Sequence, residues 1–108
     1  MTGLQDPFRE VCRELVTSAP EGWRRLLLRY VVQEGVLEFE AACVMADTGA
    51  CRSFDVLDPL KVHFAFQGIR RVLAERGAPL RPAGVFVLES DGRYAIESAK
   101  TDGPLTDA

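Results

Sequence analysis

The sequence has little of what most catalytic and metal sites require. It contains one histidine, His63, and three cysteines without a CxxC pair, whereas zinc sites usually take four closely spaced ligands. Its nine glycines form neither a GxGxxG nor a P-loop pattern, so nucleotide binding has no support. We therefore expect no metal and no cofactor, and the sequence predicts that the protein is not an enzyme.

Excess positive charge and long apolar runs are also missing. The net charge is −3 at pH 7. Nucleic acids and anionic membranes select basic surfaces, so we expect neither as a partner, and a basic protein suits this charge better. No apolar run approaches the roughly 20 residues that span a bilayer, and no signal-peptide pattern is visible. The unpaired cysteines favour a reducing, cytoplasmic location, with Cys12 and Cys43 as small buried residues.

Two segments have helical spacing, and each begins at an Asp-Pro pair. Aspartate caps free backbone N–H groups, and proline is tolerated in the first turn of a helix. After Asp6-Pro7, apolar residues at helical spacing predict a helix over about residues 7–17. After Asp58-Pro59, an apolar stripe with Leu60 close to it continues until Gly77, which is suited to end the helix.

Alternation of side chains with a period of two predicts the strands. Residues 23–32 and 37–45 alternate in this way around a turn at Gln33-Glu34-Gly35, as in a long hairpin with one buried and one solvated face. A short strand is expected within residues 50–55. The pair Asp91-Gly92 is typical of a type I′ turn and predicts a hairpin of the last two strands.

These segments give the order α-β-β-β-α-β-β. The 108 residues suit a single hydrophobic core, and we predict one α+β domain over residues 1–98 with a polar C-terminal tail over residues 99–108. The expected architecture is an antiparallel sheet of four to five strands with two helices packed on one face.

Carboxylates are the main candidates for binding a partner. Six of them fall in the middle third of the chain and would steer a basic partner toward the first hairpin. These residues are Glu34, Glu38, Glu40, Asp47, Asp55 and Asp58. Two other interpretations stay open: a scattered charged surface, and a paired acid site formed by Glu38 and Glu40, which share one strand face.

Two residues leave an enzymatic alternative open. His63 is the only side chain suited to proton transfer near neutral pH, and Cys51 lies beside the cation of Arg52, which favours a reactive thiolate. No serine or cysteine follows or precedes His63 closely enough in sequence to suggest a nucleophile for it. A surface histidine and an ordinary semi-exposed cysteine are the simpler interpretation.

Two motifs carry a family resemblance. The first, Ala19-Pro20-Glu21-Gly22-Trp23, leads from the first helix into the long hairpin, and the second, Leu88-Glu89-Ser90-Asp91-Gly92-Arg93-Tyr94, forms the last hairpin. Together with the helix between them, over about residues 8–98, they resemble the YezG-like (DUF600) immunity proteins. In that family a P-x-x-W entry precedes the hairpin, and an L-E-x-D-G-x-[FY] hairpin lies near the C-terminus.

The resemblance implies an antitoxin of a polymorphic or contact-dependent growth inhibition system. Such a protein binds and neutralises a cognate bacterial toxin domain, often a nuclease. A nuclease holds its substrate on a basic surface, so an acidic inhibitor would occlude that surface by charge complementarity. The alternative from another class is a small, acidic, dimeric secretion chaperone of similar layout, which binds an effector segment.

Overall fold

The computed structural model describes residues 6–98 and contains the seven elements in the predicted order. Residues 99–108, for which we predicted a polar tail, lie outside the described residues, as do residues 1–5. The helices are α1 (Pro7–Ser18) and α2 (Pro59–Glu75), and the strands are β1 (Trp23–Gln33), β2 (Val36–Met45), β3 (Cys51–Phe54), β4 (Ala83–Glu89) and β5 (Tyr94–Ser98).

The five strands form one antiparallel sheet in the order β3-β2-β1-β4-β5. The predicted α+β fold is therefore confirmed. Strand β1 is central: it pairs with β2 through a tight hairpin and with β4, which is distant in sequence. The short strands β3 and β5 form the edges, where short strands leave few unpaired backbone groups.

Both helices bury the same face of the sheet. Alternate residues of β1, among them Leu28 and Tyr30, are buried against Leu15 of α1 and Phe66 of α2. The rings of Tyr30 and Phe66 lie 5.1 Å apart, centroid to centroid. The helical and period-two patterns thus meet in a single core, since each buries one apolar face against the other.

The helix ends agree with their predicted signals. An Asp6 carboxylate oxygen accepts a hydrogen bond from the backbone N–H of Phe8 at 3.0 Å, and an Asp58 oxygen accepts one from Lys61 at 3.4 Å. At the end of α2, Gly77 has a φ of 76°, and the N–H of the next residue, Ala78, donates to a carbonyl in the last turn of α2. This is the left-handed termination that favours glycine.

The two hairpin turns differ in type, and only the last one departs from its prediction. Glu34 and Gly35 both have positive φ, 53° and 80°, which is the type I′ pattern. At the last hairpin only Gly92 has positive φ, and the backbone of Glu89 bonds Arg93 across a three-residue loop. The type I′ prediction for Asp91-Gly92 was therefore wrong: the strand register leaves three residues to bridge, so a single left-handed glycine closes the loop.

Gly84 is required by its neighbours rather than by its dihedral angles. It lies opposite Tyr30 in the β1–β4 register. A Cβ atom at this position would stand 2.6 Å from the Tyr30 hydroxyl oxygen and 2.7 Å from the Glu97 carbonyl oxygen. The Tyr30 ring occupies the space that any side chain at position 84 would need.

Candidate functional site

The face of the sheet opposite to the helices is covered by no element of residues 6–98, and we name it the open face. The strand register places every second residue of the four longer strands on it. These residues are Arg25, Leu27, Arg29 and Val31 from β1, Glu38, Glu40, Ala42 and Val44 from β2, Val85, Val87 and Glu89 from β4, and Ala95 and Glu97 from β5.

An apolar stripe crosses the middle of the open face. Ala42, Leu27, Val87 and Ala95 lie side by side on four neighbouring strands. Val87 is buried by its neighbours in the sheet, Leu27 and Ala42 are half-buried, and Ala95 is exposed. An accessible apolar centre within a polar rim has the composition of a protein–protein interface.

Charged residues on both sides of this stripe leave the open face negative. The Arg25 Nε atom lies 3.0 Å from a Glu89 carboxylate oxygen, and Arg29 lies 3.9 Å from Glu40. Both arginines thus have acidic neighbours across the strands. Glu38 and Glu97 make no ion pair with any described residue. Carboxylates therefore remain in excess over guanidinium groups on this face.

The structure brings together only two of the six predicted partner-binding acids. Glu38 and Glu40 share the open face, as their spacing on β2 requires. Glu34 lies in the turn before β2, whereas Asp47 lies in the turn after it, at the other end of a ten-residue strand. Asp55 is exposed after β3. The six residues therefore do not form one patch.

The sixth acid, Asp58, belongs to a hydrogen-bond network on the helix side. Its N–H donates to the Oε2 atom of Glu14 at 2.9 Å. The Ser18 hydroxyl donates to the same oxygen at 3.2 Å and accepts from the N–H of Leu57 at 2.9 Å. Glu14 is only 7% exposed, so this network attaches the start of α2 to α1. Sequence reasoning missed Glu14 because it resembles any other acid of an amphipathic helix.

His63 and Cys51 lie on opposite sides of the sheet. The His63 ring packs against Phe39 on the helix side, with ring centroids 5.1 Å apart. Cys51 lies opposite Val44 in the register and therefore on the open face. The two side chains cannot act on one substrate, although each stays separately testable. The expectation that the protein is not an enzyme remains a prediction.

Burial makes the other two cysteines, Cys12 and Cys43, less reactive than the exposed Cys51. Cys43 is buried, as predicted, but Cys12 is only half-buried, because it lies at the border of the buried stripe of α1. Burial, together with the nearby Asp6 carboxylate, raises the pKa of the Cys12 thiol from 9.0 to about 11. Burial also raises the pKa of Cys43.

A second exposed apolar feature lies at the start of α2. Leu57, Leu60 and Phe64 are 70%, 65% and 67% exposed, and we name them the α2 ridge. Leu60 was predicted to lie close to the buried stripe, but at 3.6 residues per turn it lies on the face of α2 opposite to the buried Val62 and Phe66. Leu60 and Phe64 are four residues apart on α2 and share one face, and exposed large apolar side chains placed in this way are typical of contact surfaces.

Among residues 6–98, no group of three or more His, Cys, Asp or Glu side chains could hold a metal ion. None of the helices described is long and apolar enough to cross a membrane. No family model matches this chain, and no curated protein shows significant similarity to it.

Proposed function

We propose that this protein is a cytoplasmic immunity protein that binds and neutralises a cognate bacterial toxin domain through its open face. The observation that carries the proposal is the accessible apolar stripe of Leu27, Ala42 and Ala95, enclosed by an excess of carboxylates on a sheet face without a helix. The resemblance to YezG-like immunity proteins supplies the class of partner.

The physical argument has two parts. The apolar stripe supplies affinity, because its burial against a partner removes apolar surface from water. The rim supplies selectivity: Glu38 and Glu97 are not neutralised by a neighbouring cation and would attract a basic surface. A nuclease toxin has such a surface where it holds nucleic acid, and an inhibitor bound there would exclude the substrate.

The test is association with the toxin encoded next to this protein, measured by co-purification and by survival of cells that express both. We expect a stable complex and protection. The variant Glu38→Lys/Glu40→Lys should weaken binding by about tenfold or more at low salt, with a smaller effect at high salt, because rim charges act mainly on association. The variant Leu27→Asp should weaken binding at every salt concentration.

The control is Glu75→Lys, an exposed position near the end of α2 on the other side of the sheet, compared with the single variant Glu38→Lys, which changes the charge by the same amount. Glu75→Lys should leave toxin binding unaltered. A complex that the open-face variants and Glu75→Lys weaken equally would exclude the open face. No complex and no protection would exclude the immunity function itself.

The secretion chaperone is the second candidate, and the α2 ridge favours it. A chaperone dimer that joined two copies through Leu60 and Phe64 would bury side chains that are now exposed. Light scattering after size exclusion separates the two candidates. A stable dimer that Phe64→Glu dissociates, with binding to an extended effector segment, would support the chaperone, whereas a monomer that binds a folded toxin supports the immunity protein.

A further inference from the structure

A cavity lies on the helix side of the sheet, where the start of α1, the end of α2 and strand β5 meet. Its volume is about 650 Å³, which is within the usual range for sites that bind small organic molecules. We name it the corner cavity. Its apolar wall includes Phe8, Leu73, Leu80, Tyr94 and Ile96.

Aromatic rings form one rigid side of the corner cavity. Tyr94 stacks on Phe8, with centroids 5.9 Å apart and an angle of 19° between the rings. On its other side Tyr94 stacks on Phe86, at 5.7 Å and 10°. Tyr94 is held on both sides and has few conformations to lose on binding, so it gives the cavity a rigid apolar edge beside the Phe8 ring.

A buried hydroxyl group reaches the same cavity. Tyr30 lines it and is only 1% exposed, with its hydroxyl oxygen placed over Gly84. Within residues 6–97, whose side chains the structure describes, this hydroxyl makes no hydrogen bond. Buried tyrosine hydroxyls normally have a partner, so the cavity offers a donor for an oxygen atom of a ligand.

The charges around the corner cavity favour an anion. Arg76 and Arg81 line it, and neither forms an ion pair with a described residue. Of the two acids that also line it, Asp6 already caps α1. Glu97 lies opposite Val85 in the register, so its carboxylate lies on the open face and only its backbone faces the cavity. The guanidinium groups are therefore left to bind a ligand.

We propose that the corner cavity binds a small organic anion with an apolar body. The body lies against the apolar wall of the cavity, the acidic group is bound by Arg76 and Arg81, and a ligand oxygen accepts a hydrogen bond from Tyr30. This site lies on the side of the sheet opposite to the open face and does not depend on the proposed immunity function.

The experiment uses two fluorescent probes that share an apolar body. 8-Anilinonaphthalene-1-sulfonate carries a sulfonate group, and N-phenyl-1-naphthylamine is its uncharged counterpart. We expect the sulfonate probe to bind the full-length folded protein with one-to-one stoichiometry, and the uncharged probe to bind about tenfold more weakly. Arg76→Gln/Arg81→Gln should lower the affinity for the sulfonate probe by about tenfold and leave the affinity for the uncharged probe unaltered. Tyr30→Phe should lower the affinity for the sulfonate probe by a smaller factor.

The matched control is Arg70→Gln/Arg71→Gln, which removes the same charge from the nearby helix α2, outside the corner cavity. Circular dichroism and thermal unfolding establish that each variant is folded. The proposal is overturned if the two double variants weaken the sulfonate probe equally, or if both probes bind the protein with equal affinity. Binding without saturation would overturn it as well, because a dye that binds loose apolar surface has no defined stoichiometry.

Discussion

The Oε2 atom of Glu14 accepts a hydrogen bond from the backbone N–H of Asp58, 44 residues later, at a distance of 2.9 Å. This bond joins the last turns of α1 to the residue that caps α2. The N–H of Asp58 stands just before the helix, where no backbone acceptor is available to it. The Glu14 side chain thus fixes the approach of the second helix to the first.

Removal of the Glu14 carboxylate should destabilise the fold. Glu14→Ala leaves the N–H of Asp58 and the hydroxyl of Ser18 without their acceptor, and we expect the free energy of unfolding to fall by about 1–3 kcal/mol. Urea denaturation followed by circular dichroism measures it. Glu10→Ala, in an exposed ion pair with Arg13 on the same helix, is the control and should change it by about 0.5 kcal/mol or less. Equal effects would contradict the role assigned to Glu14.

Glu34 should be replaceable with a gain in stability. It has a φ of 53°, a region that asparagine adopts more readily than glutamate, and Asn-Gly is the favoured pair for this turn. We expect Glu34→Asn to raise the free energy of unfolding by about 0.5–1 kcal/mol. Asp47→Asn removes the same charge from the next turn without positive φ and should have little effect. A similar gain from both variants would show that charge, rather than backbone conformation, is responsible.

Gly84 should not tolerate a side chain. The Cβ atom of Gly84→Ala would come within 2.6 Å of the Tyr30 hydroxyl and 2.7 Å of a backbone oxygen, so we expect a loss of about 2 kcal/mol or more in the free energy of unfolding. Tyr30→Phe removes the hydroxyl oxygen, which is the nearer of the two atoms. The double variant Tyr30→Phe/Gly84→Ala should therefore recover part of the lost free energy of unfolding, and a double-mutant cycle measures the coupling. Strict additivity of the two changes would mean that the ring and the glycine do not compete for space.

The cysteines should differ in their rates of alkylation by iodoacetamide. At pH 8 the raised pKa of Cys12 leaves about 100-fold less thiolate than a pKa of 9.0 would, because each pKa unit is a factor of ten. The exposed Cys51 should react first, Cys12 slowly, and the buried Cys43 only when the protein unfolds. Mass spectrometry of partially alkylated protein identifies the order. Reaction of Cys12 as fast as that of Cys51 at pH 8 would contradict the assigned environment.

The same shift has a consequence for stability at alkaline pH. The folded-state pKa of Cys12 lies above its unfolded value, so the unfolded chain loses this proton first as the pH rises. The stability that the protonated Cys12 thiol contributes to the folded state is fully present below pH 9 and is lost as the pH rises to about 11. The free energy of unfolding should therefore fall across this range, and Cys12→Ser should reduce the slope.

The fold could be predicted to a large extent because its signals are local. Period-two alternation from Trp23 onward and the caps at Asp6 and Asp58 act within a few residues, and each was confirmed. The conformation of the last turn could not be predicted in this way. It depends on where the β4–β5 pairing ends, and Asp91-Gly92 is compatible with loops of two and of three residues.

The candidate site could not be predicted from the sequence, because it depends on which strands are neighbours in the sheet. Six acids that are neighbours in the middle of the chain are separated because Asp47 and Glu34 lie at opposite ends of β2, while Asp58 caps a helix. Conversely, Leu27 and Ala95 share the open face although 68 residues of numbering separate them, because β4 joins their strands in register. Spacing along one strand predicts a shared face, but only topology assembles a surface from four strands.

The central position of β1 also affects how the chain is made. Its partner β2 follows at once, whereas Arg25 meets Glu89 only 64 residues later. Closing such a long loop is slower than forming a hairpin, so the β1–β2 hairpin should form first. During synthesis on the ribosome, one edge of β1 therefore stays unpaired until β4 emerges. In that interval the unpaired edge can pair with strands of other chains.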